Sequence, residues 1–158
     1  MLSGALRAAM TAIGSAQLLK IPFEKWQTGH WNPAAAISSG GMPSSHSAGV
    51  TALATYVGLK KGIQSVDFAL ATVFGLIVMY DAMGIRRHAG EIAMEVNQLE
   101  KMVEKLAIDH YREYHDQREQ QLKEMLGHMP QEVAVGALYG TLVGGLCYAS
   151  HRLVARCK

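Results

Sequence analysis

Acidic residues are scarce over most of this 158-residue sequence. Nine of its 13 aspartates and glutamates lie between Glu91 and Glu124, and only four are scattered over the remainder. Outside that stretch the chain consists largely of apolar runs. Such segregation is typical of membrane helices joined to one water-exposed segment, and it argues against an ordinary soluble domain.

Cysteine and clustered basic charge are scarce as well. Cys147 and Cys157 lack the spacing of a metal site or a disulfide framework, so we predict free thiols and no structural metal. The formal net charge is only +2, and there is no basic stripe with interleaved aromatic residues. Nucleic acid is therefore not expected as a partner. No small-residue cleavage site closely follows the first apolar run, which favours a retained membrane helix over a signal peptide.

Four apolar segments stand out, each near the length that crosses about 30 Å of hydrocarbon. They cover about residues 5–23, 45–59, 66–85 and 131–149. We predict an all-α, integral-membrane helical bundle with about four membrane helices. Residues 1–158 are expected to form a single domain.

A polar insertion at about residues 86–126 separates the third and fourth segments. It contains no proline and no glycine after Gly90, which favours helix. Apolar residues recur in it at alternating steps of four and three and form one narrow seam: Ile92, Val96, Leu99, Val103 and Leu106. We expect this seam to pack within a helical hairpin or on the membrane domain, with a homodimer contact as the alternative.

The first motif, Gly-Gly-Met-Pro-Ser-Ser-His-Ser at residues 40–47, leads into the second apolar segment. Glycines permit tight turns, and proline and serine are natural helix starters. A helix N-terminus offers backbone N–H groups to an anion, and His46 falls in the first turn beside it. The motif predicts a phosphate site; a serine-capped helix with a surface histidine is the alternative.

The second motif ends the third apolar segment and contains Asp81, Arg86 and Arg87. A carboxylate late in an apolar helix is costly unless it is paired, so we expect Asp81 to support one of the two arginines. An arginine held in this way can bind phosphate oxygens bidentately. The alternative is that both arginines are interfacial anchors.

The third motif, at the start of the last apolar segment, contains His128, Pro130 and Glu132. Proline fits the first turn of a helix, from which Glu132 can fold back toward the imidazole of His128. A histidine held by a carboxylate has one tautomer, and its other ring nitrogen can serve as a nucleophile or base. The alternative is that Glu132 only complements the helix dipole.

Together these motifs resemble the type 2 phosphatidic acid phosphatase and vanadium haloperoxidase superfamily, specifically its divergent membrane branch. Residues 43–46, Pro-Ser-Ser-His, are similar to the superfamily's Pro-Ser-Gly-His motif, and His128-x3-Glu132 is similar to the end of its Ser-Arg-x5-His-x3-Asp motif. Ser45 and Glu132 depart from the superfamily glycine and aspartate. About forty residues separate Arg87 from His128, where the superfamily has five.

The resemblance implies a metal-independent phosphatase that needs no cofactor. His128 would attack the phosphorus, His46 would protonate the departing oxygen and later activate water, and Glu132 would orient His128. The phosphate oxygens would be held by one lysine, one arginine and two backbone N–H groups. The candidate lysine is Lys20, with Lys25 as the alternative, and the candidate arginine is Arg87, with Arg86 as the alternative. The two backbone N–H groups would be those of Ser44 and Ser45.

The resemblance also implies a lipid phosphate as substrate, such as a phosphatidate, a phosphatidylglycerophosphate or a polyprenyl diphosphate. A non-hydrolytic lipid-phosphate binder or carrier that kept the anion site is the alternative function. A haloperoxidase is a third interpretation, although those relatives are largely soluble. Charges near the ends of the apolar segments favour a cytoplasmic location for the loops of the site.

Overall fold

The computed structural model describes residues 3–38, 40–106 and 128–156, and for residues 85–87 and 104–106 it describes the backbone alone. Every regular element of this part of the chain is helical. The elements are α1 (Gly4–Thr28), a 3₁₀ helix (Pro33–Ile37), α2 (Ser45–Lys61), α3 (Val66–Met83), α4 (Ile85–Leu106) and α5 (Pro130–Arg156). All four predicted apolar segments are helices, and the all-α fold is confirmed.

Serine side chains begin three of these helices. Ser3, Ser44 and Ser65 each accept a hydrogen bond from a backbone N–H three residues along the chain. Such caps satisfy N–H groups that have no acceptor within the helix. At its other end α1 continues past the predicted limit of residue 23 and stops at Gly29, whose φ of 78° is left-handed. Glycine adopts that conformation at no steric cost, so the helix can end there.

Helix α2 lies at the centre of the bundle and packs against α1, α3 and α5. Four glycines of α5 predict that another helix approaches it closely: Gly136, Gly140, Gly144 and Gly145. The prediction is confirmed for the first three, whereas a Cβ atom on Gly145 would meet no atom within 4 Å. A Cβ atom on Gly136 would lie 3.1 Å from the Ser44 Cβ, and one on Gly144 would lie 2.6 Å from the Ala52 carbonyl oxygen. Small residues four apart therefore let the α5 backbone rest directly on α2.

Alanines form the contact between α1 and α2. Ala12 and Ala16 of α1 meet Ala48 and Ala52 of α2 in a cluster that is completely buried. Packing of this kind relies on close backbone approach and not on large apolar side chains, as is common between helices in a bilayer. The large apolar side chains are turned outward instead.

Two helical stretches of the described chain are long and apolar enough to cross a membrane. One runs from Val66 through α3 to Val103, and the other is Pro130–Arg156. Leu70, Phe74 and Ile77 of α3 are all at least 60% exposed. A continuous apolar surface of this kind indicates contact with lipid. The predicted number of about four membrane helices stays a prediction.

The polar insertion is helical over its first half, which is α4; residues 107–126 lie outside the described residues. The described side chains of the apolar seam, those of Ile92, Val96, Leu99 and Val103, are all exposed. Ala93 and Asn97 are buried instead. Helix α4 thus turns another face toward the rest of the chain, and the expectation that the seam packs on the membrane domain is wrong for these residues. Packing within a helical hairpin involves residues that lie outside the described ones, so it stays a prediction, as does the homodimer contact.

Candidate active site

A glycine-containing loop and the first turn of α2 form one wall of the candidate site. Gly41, with a φ of 89°, turns the chain into the helix start. Ser44 caps α2: its hydroxyl oxygen accepts from the Ser47 N–H at 3.3 Å and from the Ser47 hydroxyl at 3.1 Å. Ser44 and Ser47 are completely buried, and Ser45 is 6% exposed. The first turn of α2 is therefore fixed in position by side-chain hydrogen bonds.

The two predicted catalytic histidines are in contact. His46, in the first turn of α2, and His128, just before α5, have ring centroids 5.4 Å apart and planes inclined at 79°. This edge-to-face arrangement is a direct ring contact. His128 is only 1% exposed, and its backbone N–H donates to the Ala82 carbonyl at 2.9 Å. The fold thus brings together imidazoles that are 82 positions apart in the sequence.

Glu132 ties the start of α5 to the loop before α2. Its carboxylate accepts from the Met129 N–H at 3.1 Å and is hydrogen-bonded to the Gly41 backbone. Its own carbonyl oxygen accepts from the Ser44 N–H at 3.1 Å. The Ser44 N–H, expected to hold a phosphate oxygen, is therefore already engaged within the protein. An anion at this helix start would be bound by later N–H groups of the first turn.

Lys20 is the one of the two candidate lysines that the fold brings to this cluster. It is 2% exposed, its ammonium group donates to the Ser38 carbonyl at 2.9 Å, and it interacts electrostatically with Glu132. Lys25 instead lies over the Trp31 ring, 4.1 Å from its centroid. A buried cation beside a helix N-terminus makes this corner of the bundle favourable for an anion.

The remaining predicted site residues are less well defined by the fold. The side chains of Arg86 and Arg87 lie outside the described residues, so their roles and their pairing with Asp81 stay predictions. Asp81 is half-buried near the end of α3. His88, which directly follows the arginine pair in the sequence, is exposed, and its Nδ1 lies 3.1 Å from the Glu91 carboxylate. Within the described residues there is no group of three potential metal ligands.

A helical pattern supports the choice of Lys20, and it could also have indicated Ser47, which sequence reasoning missed. Ala8, Ala12 and Ala16 recur every four residues on the buried face of α1, and Lys20 is the next member of that series. Lys25 is not. Ser47, three residues after the Ser44 cap, likewise stands where a capping partner is expected. The Ser38 carbonyl contact, by contrast, leaves no signal in the sequence.

The fold and this cluster together define a class: an all-helical, lipid-exposed bundle with a polar, histidine-containing site at one end. The chain belongs to the Divergent PAP2 family, whose model matches residues 2–143. The predicted resemblance to the divergent branch is thus confirmed, and membership of a phosphatase superfamily is supported.

A bacterial relative gives the same indication. The chain is 42% identical over 142 residues to the "Uncharacterized membrane protein YuiD" of Bacillus subtilis (strain 168), and the match covers 87% of this chain and 89% of the relative. That relative and the apolar helices together support membrane association. No solved structure matches the chain significantly.

Proposed function

We propose that this protein is a membrane phosphatase that hydrolyses a phosphomonoester or diphosphate of a lipid through a phosphohistidine intermediate. The observation that carries the proposal is the contact between His46 and His128 beside the first turn of α2, next to buried Lys20. Two imidazoles can divide nucleophilic and acid–base work, and a helix N-terminus with a lysine can hold the phosphoryl oxygens.

In the proposed reaction a ring nitrogen of His128 attacks the phosphorus with its lone pair, and the bond from phosphorus to the alcohol oxygen breaks. His46 gives its proton to that departing oxygen. Neutral His46 then takes a proton from water as the water oxygen attacks the phosphorus, and the phosphorus–nitrogen bond breaks with its electron pair returning to His128. Inorganic phosphate leaves, His128 is restored and His46 is protonated again. The proposed role of Glu132 is to orient His128.

Binding of the substrate requires a movement within the histidine pair. In-line transfer places the phosphoryl group between the attacking nitrogen and the proton donor, whereas the two rings now touch edge to face. His128 is buried, while His46 is partly exposed in the first turn of α2. We therefore expect the His46 side chain to rotate and to close again over the bound phosphate. Side-chain rotations of this size commonly accompany binding.

A lipid is the substrate class that the surroundings of the cluster favour. Trp26 and Trp31, the two tryptophans of the chain, lie at the end of the bundle that holds the cluster and are 79% and 64% exposed. Tryptophan is enriched where a bilayer meets water. A phosphate bound at this depth in the bilayer would lie where the headgroups of lipids lie. The cytoplasmic location of these loops stays part of the proposal.

Turnover separates this function from the alternative, a non-hydrolytic lipid-phosphate binder or carrier. His128→Ala should reduce hydrolysis of every phosphate ester to background, because the nucleophile is lost. His46→Ala should reduce hydrolysis of lipid phosphates by roughly 10² to 10⁴, the usual contribution of general acid catalysis. Nitrophenyl phosphate, which has a good leaving group, should be partly spared in its first step.

The phosphoenzyme is the decisive readout. Because His46→Ala also lacks the base that activates water, it should accumulate an acid-labile phosphoryl group on His128 when it is given nitrophenyl phosphate, and peptide mass spectrometry would locate it. His151→Ala, an exposed histidine at the far end of α5, is the matched control and should behave like the parent. A phosphoryl group on serine, or turnover by His128→Ala, would exclude this mechanism. Vanadate binding without any turnover would favour the binder.

A further inference from the structure

A second cavity lies between α1, α2 and α5, at the end of the bundle opposite the histidine pair. Its volume is about 490 Å³, within the range of roughly 300 to 1,000 Å³ that is common for small-molecule sites. Its walls include Arg7 of α1, Tyr56 of α2, and Leu146, Ser150 and Val154 of α5. The described residues that line it include none of the candidate active site, so the cavity is separate from that site.

The hydroxyl group of Tyr56 is buried in the wall of this cavity. Tyr56 is 1% exposed, and its hydroxyl oxygen has no hydrogen-bond partner among the described residues. The hydroxyl lies against the backbone of Gly4, which also lines the cavity, since a Cβ atom on Gly4 would overlap it. Burial of a hydroxyl costs free energy unless it is hydrogen-bonded, so a polar ligand in the cavity is the simplest explanation for this group.

Arg7 brings a positive charge to the same cavity. It follows Gly4 by about one helical turn on α1, and no described aspartate or glutamate forms an ion pair with it. A guanidinium group binds the oxygens of a phosphate with two parallel hydrogen bonds. The Ser150 hydroxyl already donates to the Leu146 carbonyl at 2.9 Å. The donors left for an oxyanion are therefore the charged group of Arg7 and the neutral hydroxyl of Tyr56.

The place of the cavity along the bundle corresponds to the second surface of a bilayer. Ser150 follows Pro130 by 20 positions on α5, which is about 30 Å along a helix. The hydrocarbon core has about the same thickness, so the start of α5 at one membrane surface puts this cavity near the other. Leu146 and Val154 share one face of α5 with Ser150 and are exposed, so this wall of the cavity adjoins lipid.

We propose that this cavity binds the phosphate group of an anionic membrane lipid, in the leaflet opposite the candidate active site. Arg7 binds the phosphate oxygens, and the Tyr56 hydroxyl donates one further hydrogen bond to them. Basic pockets between membrane helices are known to take anionic headgroups. The bound lipid joins α1 to α2 at this end of the bundle. The inference rests on the membrane association of the chain and does not depend on the proposed function.

Titration calorimetry of the detergent-solubilised full chain tests the site with three probes. They are dihexanoyl phosphatidylglycerol, dihexanoyl phosphatidylcholine and inorganic phosphate. Phosphatidylglycerol should bind. Phosphatidylcholine should bind more weakly, because a fixed cation beside the same phosphate is repelled by Arg7. Inorganic phosphate should also bind more weakly than phosphatidylglycerol, because it leaves the apolar wall of α5 uncovered.

Arg7→Gln should weaken the binding of phosphatidylglycerol at least about tenfold, because hydrogen bonds from a charged group to phosphate are strong. Arg152→Gln is the matched control. It removes the same charge from an exposed position at the same end of α5, outside the lining of the cavity. It should change the affinity by less than about twofold, because exposed charges at a distance are screened.

Tyr56→Phe removes only the hydroxyl oxygen and should weaken phosphatidylglycerol binding roughly two- to tenfold. The melting temperature of this variant without lipid should be unchanged or higher, because the parent buries the hydroxyl without a described partner. A purely structural role of the hydroxyl would instead lower it. Tyr148→Phe is the control, since the Tyr148 ring packs on Tyr56 but lies outside the lining of the cavity. It should bind phosphatidylglycerol like the parent.

Three results would overturn the site: no binding of phosphatidylglycerol by the parent, parent-like binding in both Arg7→Gln and Tyr56→Phe, or an equal loss in Arg152→Gln. Two others would overturn the anionic lipid as its occupant. Equal affinities for phosphatidylcholine and phosphatidylglycerol would exclude selection for negative charge. Inorganic phosphate that binds as tightly as phosphatidylglycerol, and loses that affinity in Arg7→Gln, would assign the cavity to a free oxyanion.

Discussion

The two ends of the bundle bury different kinds of side chain. At the end where α2 and α5 begin, the buried polar residues are Lys20, Ser44, Ser45, Ser47 and His128. At the opposite end the largest buried side chain is Tyr56, which packs edge to face on Tyr148, while Arg7 and His151 are exposed. Burial of a polar group costs free energy unless its hydrogen bonds are replaced. Five of the six buried polar residues among the described side chains lie at the end where the motifs converge, as expected for a site kept for its chemistry.

Replacement of the buried lysine at the polar end should have the largest effect on vanadate binding. Lys20→Met removes the cation of the polar end, and vanadate affinity should fall at least about tenfold, because hydrogen bonds to charged groups contribute roughly 1.5 to 3 kcal/mol. Lys25→Met removes a lysine only five residues away that lies over Trp31, and it should change affinity by less than about twofold. Calorimetric titration of both purified variants with vanadate would measure the difference.

Thermal unfolding serves as the control for this pair. Lys20→Met removes a positive charge that attracts half-buried Glu132, so the variant is expected to be less stable than the parent. Affinities should therefore be measured well below the melting temperature of each variant. The reverse result, in which Lys25→Met weakens vanadate binding and Lys20→Met does not, would assign the phosphate-binding role to Lys25.

The glycines of α5 allow the two ends to be compared within one helix. Gly136→Ala and Gly144→Ala should both destabilise the fold by about 1 to 3 kcal/mol, because the added methyl group overlaps the α2 backbone. Only Gly136→Ala pushes against Ser44, so only this variant should also weaken vanadate binding. Melting temperatures and calorimetric affinities would separate the two effects.

Gly145→Ala is the matched control for these substitutions. A Cβ atom at this position meets no atom within 4 Å, so the variant should be neutral or stabilised by up to about 1 kcal/mol through reduced chain entropy. If Gly145→Ala destabilises the protein as much as Gly144→Ala does, helix packing on α2 is not the cause. If Gly136→Ala binds vanadate like the parent, Ser44 does not form part of the site.

These comparisons also show which features the sequence could predict. Helices, serine caps and the close approach of Gly136, Gly140 and Gly144 all follow from local composition and helical spacing, and the fold contains them. Lys20 was favoured over Lys25 as the candidate phosphate-binding lysine on the resemblance alone, and its place on the buried face of α1 supports that choice. The bond from the Ser44 N–H to the Glu132 carbonyl joins residues 88 positions apart and follows only from the docking of α5.

The apolar seam of α4 is a feature that the sequence shows clearly, although the sequence does not show what the seam packs against. Its spacing of four and three is a genuine pattern, yet Leu99 is 60% exposed and Asn97 is 3% exposed. Periodicity identifies an apolar face but does not state which partner covers it. The expectation that the seam packs on the membrane domain is therefore wrong for the described side chains, although the helix itself was recognised correctly.

The smallest expected change in vanadate affinity is for substitution of Asp81, a carboxylate near the polar end. Asp81 is half-buried late in an apolar helix, and we propose that it supports an arginine of the 86–87 pair. Asp81→Asn should then lower the melting temperature while it changes vanadate affinity little, because it leaves an arginine near lipid without its counter-charge.

Asp67→Asn is the control at the other end of the same helix. Asp67 pairs with Lys61 at 3.1 Å in an exposed position, and such pairs contribute only about 0 to 1 kcal/mol. Parent-like stability together with lost vanadate binding in Asp81→Asn would place Asp81 in the binding of phosphate and refute the supporting role.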